Sequence, residues 1–245
     1  MRLFLSKLLF ASILSAQLFA GDITFQNGTN HYEGASDANL IGQVENRKHL
    51  NFGHADRILV AGVAVGGLKQ LGVIQFSDLT GPGKIPAGAR ILRATLELYK
   101  VGEPTDSGQY ARVESKNLYL NCYRMLKAWK AGEGTGQMVD DGVTFSYRAY
   151  RSDVPEFWGN SNQIEEGPVK GIDYDPAVSS RAAMQVGAEQ VWMQWDVTPF
   201  VRRWVKEPES NHGVMLMARS YYVGTFFASC ESGQVEFRPR LIVEY

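Results

Sequence analysis

Short β-rich segments recur along the chain, each closed off by glycine, proline or small polar residues. They begin at Arg57 (RILVAGVAV), Gln70 (QLGVIQF), Ala94 (ATLELYKV) and Leu118 (LYLNCYRML), and resume at Gly213 (GVMLMA), Gly224 (GTFFAS) and Arg240 (RLIVEY). Over 94–101, Leu96 and Leu98 alternate with Thr95, Glu97 and Tyr99, the pattern of a strand with one buried face. Turn clusters at 79–89, 131–136 and 206–213 separate the segments. A single stretch has helical period. In WDVTPFVRRWVKEP, Phe200, Val201, Trp204 and Val205 share a face, Thr198 is placed to cap with Pro199 at the first position, and Pro208 ends the run. The spacing predicts a helix over Thr198–Lys206. The expected class is all-β: two facing antiparallel sheets of roughly eight to ten strands, with this short helix at one edge.

From about Gly132 to Gln190 the pattern is irregular, which predicts an elaborated loop region serving as a binding surface or as a lid on the sandwich. No internal repeat or low-complexity linker divides the chain, so residues 21–245 read as a single domain. An outer-membrane barrel fits poorly, because the strands are mostly shorter than about ten residues and a helix interrupts them.

Composition narrows the picture. The 245 residues carry Lys+Arg 25 against Asp+Glu 26 and are 44% hydrophobic, which excludes disorder and gives no support to nucleic-acid binding. Residues 1–20 read as a signal peptide: Arg2 and Lys7 in front, an apolar run from Leu8 to Leu14, then Ser15, Ala16 and Ala20. The protein is therefore expected to be exported, to the periplasm or the outside of the cell, with no membrane span. In such a compartment Cys122 and Cys230, the two cysteines of the chain, can form a disulfide. Two buried free thiols are the open alternative.

The order of several segments resembles a known family. GASDANL at 34–40 and NFG at 51–53 resemble an opening strand and its asparagine–aromatic–glycine turn. IPAGARILRATLELY at 85–99, DGVTF at 141–145, QWDVTPFVRRW at 194–204, NHGVML at 211–216 and RPRLIVEY at 238–245 follow in the same order. Together they resemble the DNRLRE-type domain, seen beside disaggregatases and as a carbohydrate-binding module recognising alginate. Phe145, Gln75 and Cys230 stand where that family has tryptophan, arginine and arginine. The resemblance implies a jelly-roll β-sandwich that is non-catalytic, binds an acidic polysaccharide and works beside a separately encoded polysaccharide-degrading enzyme.

The residues offer candidates of their own. Arg47, Lys48, His49 and Arg57 form a basic cluster in a near-neutral chain, suited to an acidic glycan, or else a solvated turn. Tyr147, Arg148, Tyr150, Arg151 and Trp158 interleave rings and guanidinium groups, and Tyr221 and Tyr222 could extend a stacking platform. The alternative for this second cluster is a packed aromatic lid. Asp173 and Asp175 in GIDYDP could supply oxygen to a structural calcium, or Asp173 could simply hold a turn that Pro176 closes. Serine-hydrolase, zinc-protease and nucleotide-loop signatures are absent, which favours a non-enzyme. The carboxylate pairs Asp140/Asp141, Glu165/Glu166 and Asp173/Asp175 keep a lyase or hydrolase as an alternative. A structural or adhesive surface protein of the same fold is the other alternative.

Overall fold

The computed structural model describes residues 21–42, 45–62, 69–103, 119–159, 167–184, 190–218 and 223–245. The expected signal peptide, Glu165, Glu166, Tyr221 and Tyr222 lie outside the described residues. Thirteen strands are seen among these. The first six are β1 (Asp22–Phe25), β2 (Ala35–Ile41), β3 (Arg57–Gly62), β4 (Lys69–Phe76), β5 (Arg93–Gly102) and β6 (Tyr119–Met125). Next come β7 (Tyr147–Ala149), β8 (Glu156–Phe157), β9 (Tyr174–Ala183) and β10 (Val191–Asp196). After the helix α1 (Thr198–Lys206) follow β11 (Val214–Ala218), β12 (Val223–Ala228) and β13 (Arg240–Glu244). The excess over the expected number comes from short strands such as β1, β7 and β8.

Every strand pairing is antiparallel; β7 and β8 pair apart as a small hairpin, and the other strands form two layers. β10, β5, β13 and β1 lie side by side in the first layer. β2, β4, β11, β6 and β9 make the second. β3 and β12 pair with each other and tie the layers together. β3 reaches β4 through Ala61 and Gly62, and β12 reaches β5 through Phe226 and Phe227. Neighbours in space are distant in sequence, as a jelly-roll sandwich requires, and the sheet does not close into a barrel. Among the described residues no helix is long and apolar enough to cross a membrane.

Alternation decides which side chains fill the sandwich. Leu96, Leu98, Trp195, Leu241 and Val243 of the first layer meet Ile74, Leu120, Cys122, Val214 and Leu216 of the second. The helix closes one end, where Trp204 borders the same small void as Ile74, Phe76, Leu96 and Leu241. Its start differs from the expected cap. The Thr198 hydroxyl accepts from the Ala94 N–H at 2.9 Å, on β5, and Asp196 Oδ1 accepts the Thr198 N–H at 2.9 Å. Thr198 therefore anchors the helix to the sheet, and Asp196 takes the first free N–H.

The second layer has a second core on its outer face. Ala38, Leu40, Leu71, Val73, Met125 and Met215 point there and are covered by Trp129, Val143, Phe145, Trp158 and Tyr174. The described residues of the irregular region that precede β9 are thus packed as a lid. Phe145 sits so tightly that a Cβ on Gly42 or Gly167 would fall 2.4 or 2.7 Å from its ring.

Cys122 and Cys230 are free thiols, both buried in the interlayer core, so the disulfide alternative is not what the structure contains. Burial pushes both thiols up, and at Cys230 the neighbouring Asp37 adds to it. Unfolded, unreduced protein is expected to titrate two reactive thiols per chain, and native protein to react only as fast as it opens. A protein with no titratable thiol after unfolding would establish the bridge instead.

Candidate functional site

Pairing register builds a polar and aromatic face on the outside of the first layer. On β5 the residues that alternate with Leu96 and Leu98 are Thr95, Glu97 and Tyr99, so these point outward. Trp192 of β10 lies opposite Tyr99, and Gln194 lies opposite Glu97. From the other side Arg240 of β13 lies opposite the same Glu97. The Glu97 carboxylate accepts from Gln194 Nε2 at 2.6 Å and from Arg240 Nε at 2.5 Å. Held this way, the Arg240 guanidinium stands 3.9 Å from the centre of the Trp192 ring. Tyr99 meets Trp192 edge-on at 5.2 Å and stacks on Phe237 at 4.0 Å with only 4° between the planes.

The Tyr99–Phe237 stack forms one wall of a groove of about 330 Å³, and Arg57, Gln190, Ser232 and Gln234 add polar groups to it. Arg57 is exposed and its nearest acid, Asp56, is 3.9 Å away, so little holds the guanidinium back from a ligand. Gln190 has a φ of +58°, a left-handed conformation that a residue other than glycine adopts only when its surroundings fix it. The groove thus joins a flat ring surface, amides and a hydroxyl for hydrogen bonding, and a bidentate cation.

The basic cluster of 47–57 is divided in space between different elements. Arg57 opens β3 and enters the groove. Arg47 is exposed on a short 3₁₀ turn after β2. Lys48 and His49 join the lid instead: the Lys48 carbonyl accepts the Ser146 N–H at 3.0 Å, and His49 lies 5.5 Å from the Tyr147 ring.

The second cluster is largely engaged with the protein itself. Tyr147 is buried against Tyr150 and Phe157. Trp158 is 3% exposed and its indole N–H donates to the Thr144 carbonyl at 3.1 Å, so neither ring face is offered to a sugar. Arg148 pairs with Glu156, and Arg151 lies 3.4 Å from Asp141 and 3.7 Å from Glu156. Asp141 is also paired with Lys130, and these cations hold its carboxyl below the usual range. Both rings are thus packed as the lid alternative has them: Trp158 covers the apolar face of β4 and β11, and Tyr147 packs within the lid against His49, Tyr150 and Phe157.

Asp173 and Asp175 are both engaged with the protein. Asp173 is buried, and its Oδ2 accepts the N–H groups of Gly159 and Val169, both at 2.7 Å. Both donors meet Oδ2, while Oδ1 is buried without a hydrogen-bond partner among the described residues. Burial pushes this carboxyl up, and the Val169 and Gly159 N–H groups oppose the rise. Asp175 turns to Arg124 at 2.7 Å. Among the described residues no three Asp, Glu, His or Cys side chains gather to hold a metal.

Tyr99, Trp192, Phe237 and Arg240 escaped the sequence reading as a site. The alternation that turns Tyr99 outward was legible, and VWMQWD carries the same period. Phe237 reaches Tyr99 only through the folded turn before β13. The chain matches no family model and no curated protein.

Proposed function

We propose that the protein is an exported, non-catalytic module that binds an acidic polysaccharide through the Arg57 groove. The observation that carries this reading is the nearly parallel Tyr99–Phe237 stack, whose outer ring face borders the groove beside an exposed, weakly held arginine. A sugar ring buries its apolar face on such a wall, and a uronate carboxylate meets the guanidinium fork. The ordered resemblance to the DNRLRE-type domain supports the same ligand class. On this reading a separately encoded enzyme degrades the polymer and this chain supplies contact with it.

Native gels containing a polyuronate or a neutral glucan test the proposal. Polyuronate is expected to retard the protein, and less so as salt rises. Arg57→Ala should weaken binding about tenfold by removing a charge-assisted hydrogen bond. Phe237→Ala should weaken it similarly, while Arg47→Ala should leave it unchanged. Equal retardation by neutral glucan removes the acidic ligand from the reading. Wild-type binding by both groove variants removes the groove. Incubation with the polymer should release no new chain ends; their appearance would make the protein a lyase or hydrolase.

A further inference from the structure

The first layer ends in an open strand edge, and that edge borders a second groove, of about 740 Å³. All four residues of β1 line it, with Glu33, Asp78 and His31 across the opening. β1 pairs with β13 on one side only, so its other side is unpaired among the described residues. The register shows which backbone groups face outward. Gly21 and Tyr245 exchange N–H···O bonds in both directions, at 2.7 and 2.9 Å, which makes them a hydrogen-bonded pair of the ladder. Asp22 opposite Glu244 and Thr24 opposite Ile242 are then the alternate, non-bonded pairs. The N–H and C=O of Asp22 and Thr24 therefore point away from β13, on the groove side, and have no backbone partner among the described residues. Donors and acceptors two residues apart are the template that an added strand requires.

Charge selects the occupant. Asp22 and Glu33 have no ion pair among the described residues, whereas Asp78 is matched by Lys84. A second copy of the chain would bring the same acidic edge and set like charges against each other. We propose that the open edge of β1 takes up an extended cationic peptide segment by strand addition, with its Lys or Arg side chains meeting Asp22 and Glu33. This site is independent of the polysaccharide groove.

Fluorescence anisotropy with two labelled peptides, Lys-Thr-Lys-Val-Lys-Thr-Lys and its glutamate counterpart, tests the proposal. The cationic peptide should bind saturably and the acidic one should not. Thr24→Pro removes an outward N–H without touching a β1–β13 bond, a change tolerated on edge strands. It should cut affinity at least tenfold at unchanged melting temperature. Asp22→Asn with Glu33→Gln should weaken binding and flatten its salt dependence. Peptides N-methylated on one set of alternate amides check the same geometry on unaltered protein: one set should lose binding and the other keep it. Equal binding by both methylated peptides, or no binding of the cationic peptide, overturns strand addition here. A concentration-dependent dimer that blocks the peptide overturns the choice of occupant.

Discussion

Asn51→Ala is expected to lower unfolding free energy by about 3–5 kcal/mol, an effect far above that of an ordinary polar substitution. The side chain is fully buried and uses both ends. Its Nδ2 donates to the Ala131 carbonyl at 2.6 Å and to the Val143 carbonyl at 2.7 Å. Its Oδ1 accepts the Gly134 N–H at 2.7 Å and the Gly53 N–H at 3.3 Å. The backbone of Asn51 adds bonds to Gln137 and Gly136, both at 2.9 Å. One side chain thus satisfies three backbone groups of a lid that has little regular structure of its own, and a fourth, the Gly53 N–H, in its own turn. Removing it leaves those groups without partners in a site too closed to rehydrate. The glycines around it belong to the same device: a Cβ on Gly134 or Gly142 would fall 2.6 or 2.7 Å from Asn51 atoms, and Gly132 also needs a φ of +78°. Asn51→Leu, which fills the volume without the bonds, should be no better than alanine. Urea unfolding gives the measurement. A loss below about 1 kcal/mol, or rescue by leucine, would show that the site works by packing.

The same asparagine explains why the basic cluster was misleading as a unit. Arg47 and Arg57 are ten positions apart in sequence, but Asn51 fastens the intervening chain to the lid before Arg57 starts β3. Nearness along the chain says little once a turn is pinned between. The strands beginning near Arg57, Gln70, Ala94, Tyr119, Val214, Val223 and Arg240 were legible because each is short, apolar on one face and bounded by turn residues. The bounds of the helix were legible for the same reason. β9 was not. Its register against β6 slips between Tyr123 and Arg124, so Tyr123 faces Ser179 while Arg124 faces Asp175. Pro176 falls in this irregularity, where no ladder bond is required of it, and there it looks like the end of a turn. A pattern of period two cannot survive such an insertion. The lid was hidden for another reason: its aromatic residues are set by the outer face of a sheet distant in sequence, not by any local repeat.

Wild-type protein is expected to lose stability, relative to Asp37→Asn, as pH rises from about 4 to about 7. Asp37 lies on the face of β2 opposite Ala38 and Leu40, and is 3% exposed. Burial pushes its carboxyl from 3.8 up to about 7; Glu231 adds to the rise, while hydrogen bonds from Cys230 oppose it. The strongest of those contacts in geometry is the Cys230 N–H, 2.6 Å from Oδ2. The sign follows from proton binding. Below about pH 4 both states hold the proton and the contribution is complete. Between there and about 7 the unfolded chain releases it while the folded chain keeps it, so rising pH favours unfolding. Above about 7 both have released it and the contribution is gone, a total on the order of 4 kcal/mol. Asp173, also pushed up by burial, acts in the same direction. His212 acts against it: burial, then Arg124, Arg148 and Lys127, push its imidazole down, so acid favours the unfolded chain. Asp196, held down first by its hydrogen bond with Thr198, likewise loses its contribution in acid. The overall slope is therefore a sum, and the comparison with Asp37→Asn isolates one member of it. The amide oxygen can keep the Cys230 bond while the titrating proton disappears. Urea unfolding of both proteins at several pH values should show a difference that changes by several kcal/mol across this window, with the wild type relatively favoured at the acid end. A difference that stays constant with pH would mean that Asp37 ionises as an ordinary carboxylate, and that the cavity around it admits water.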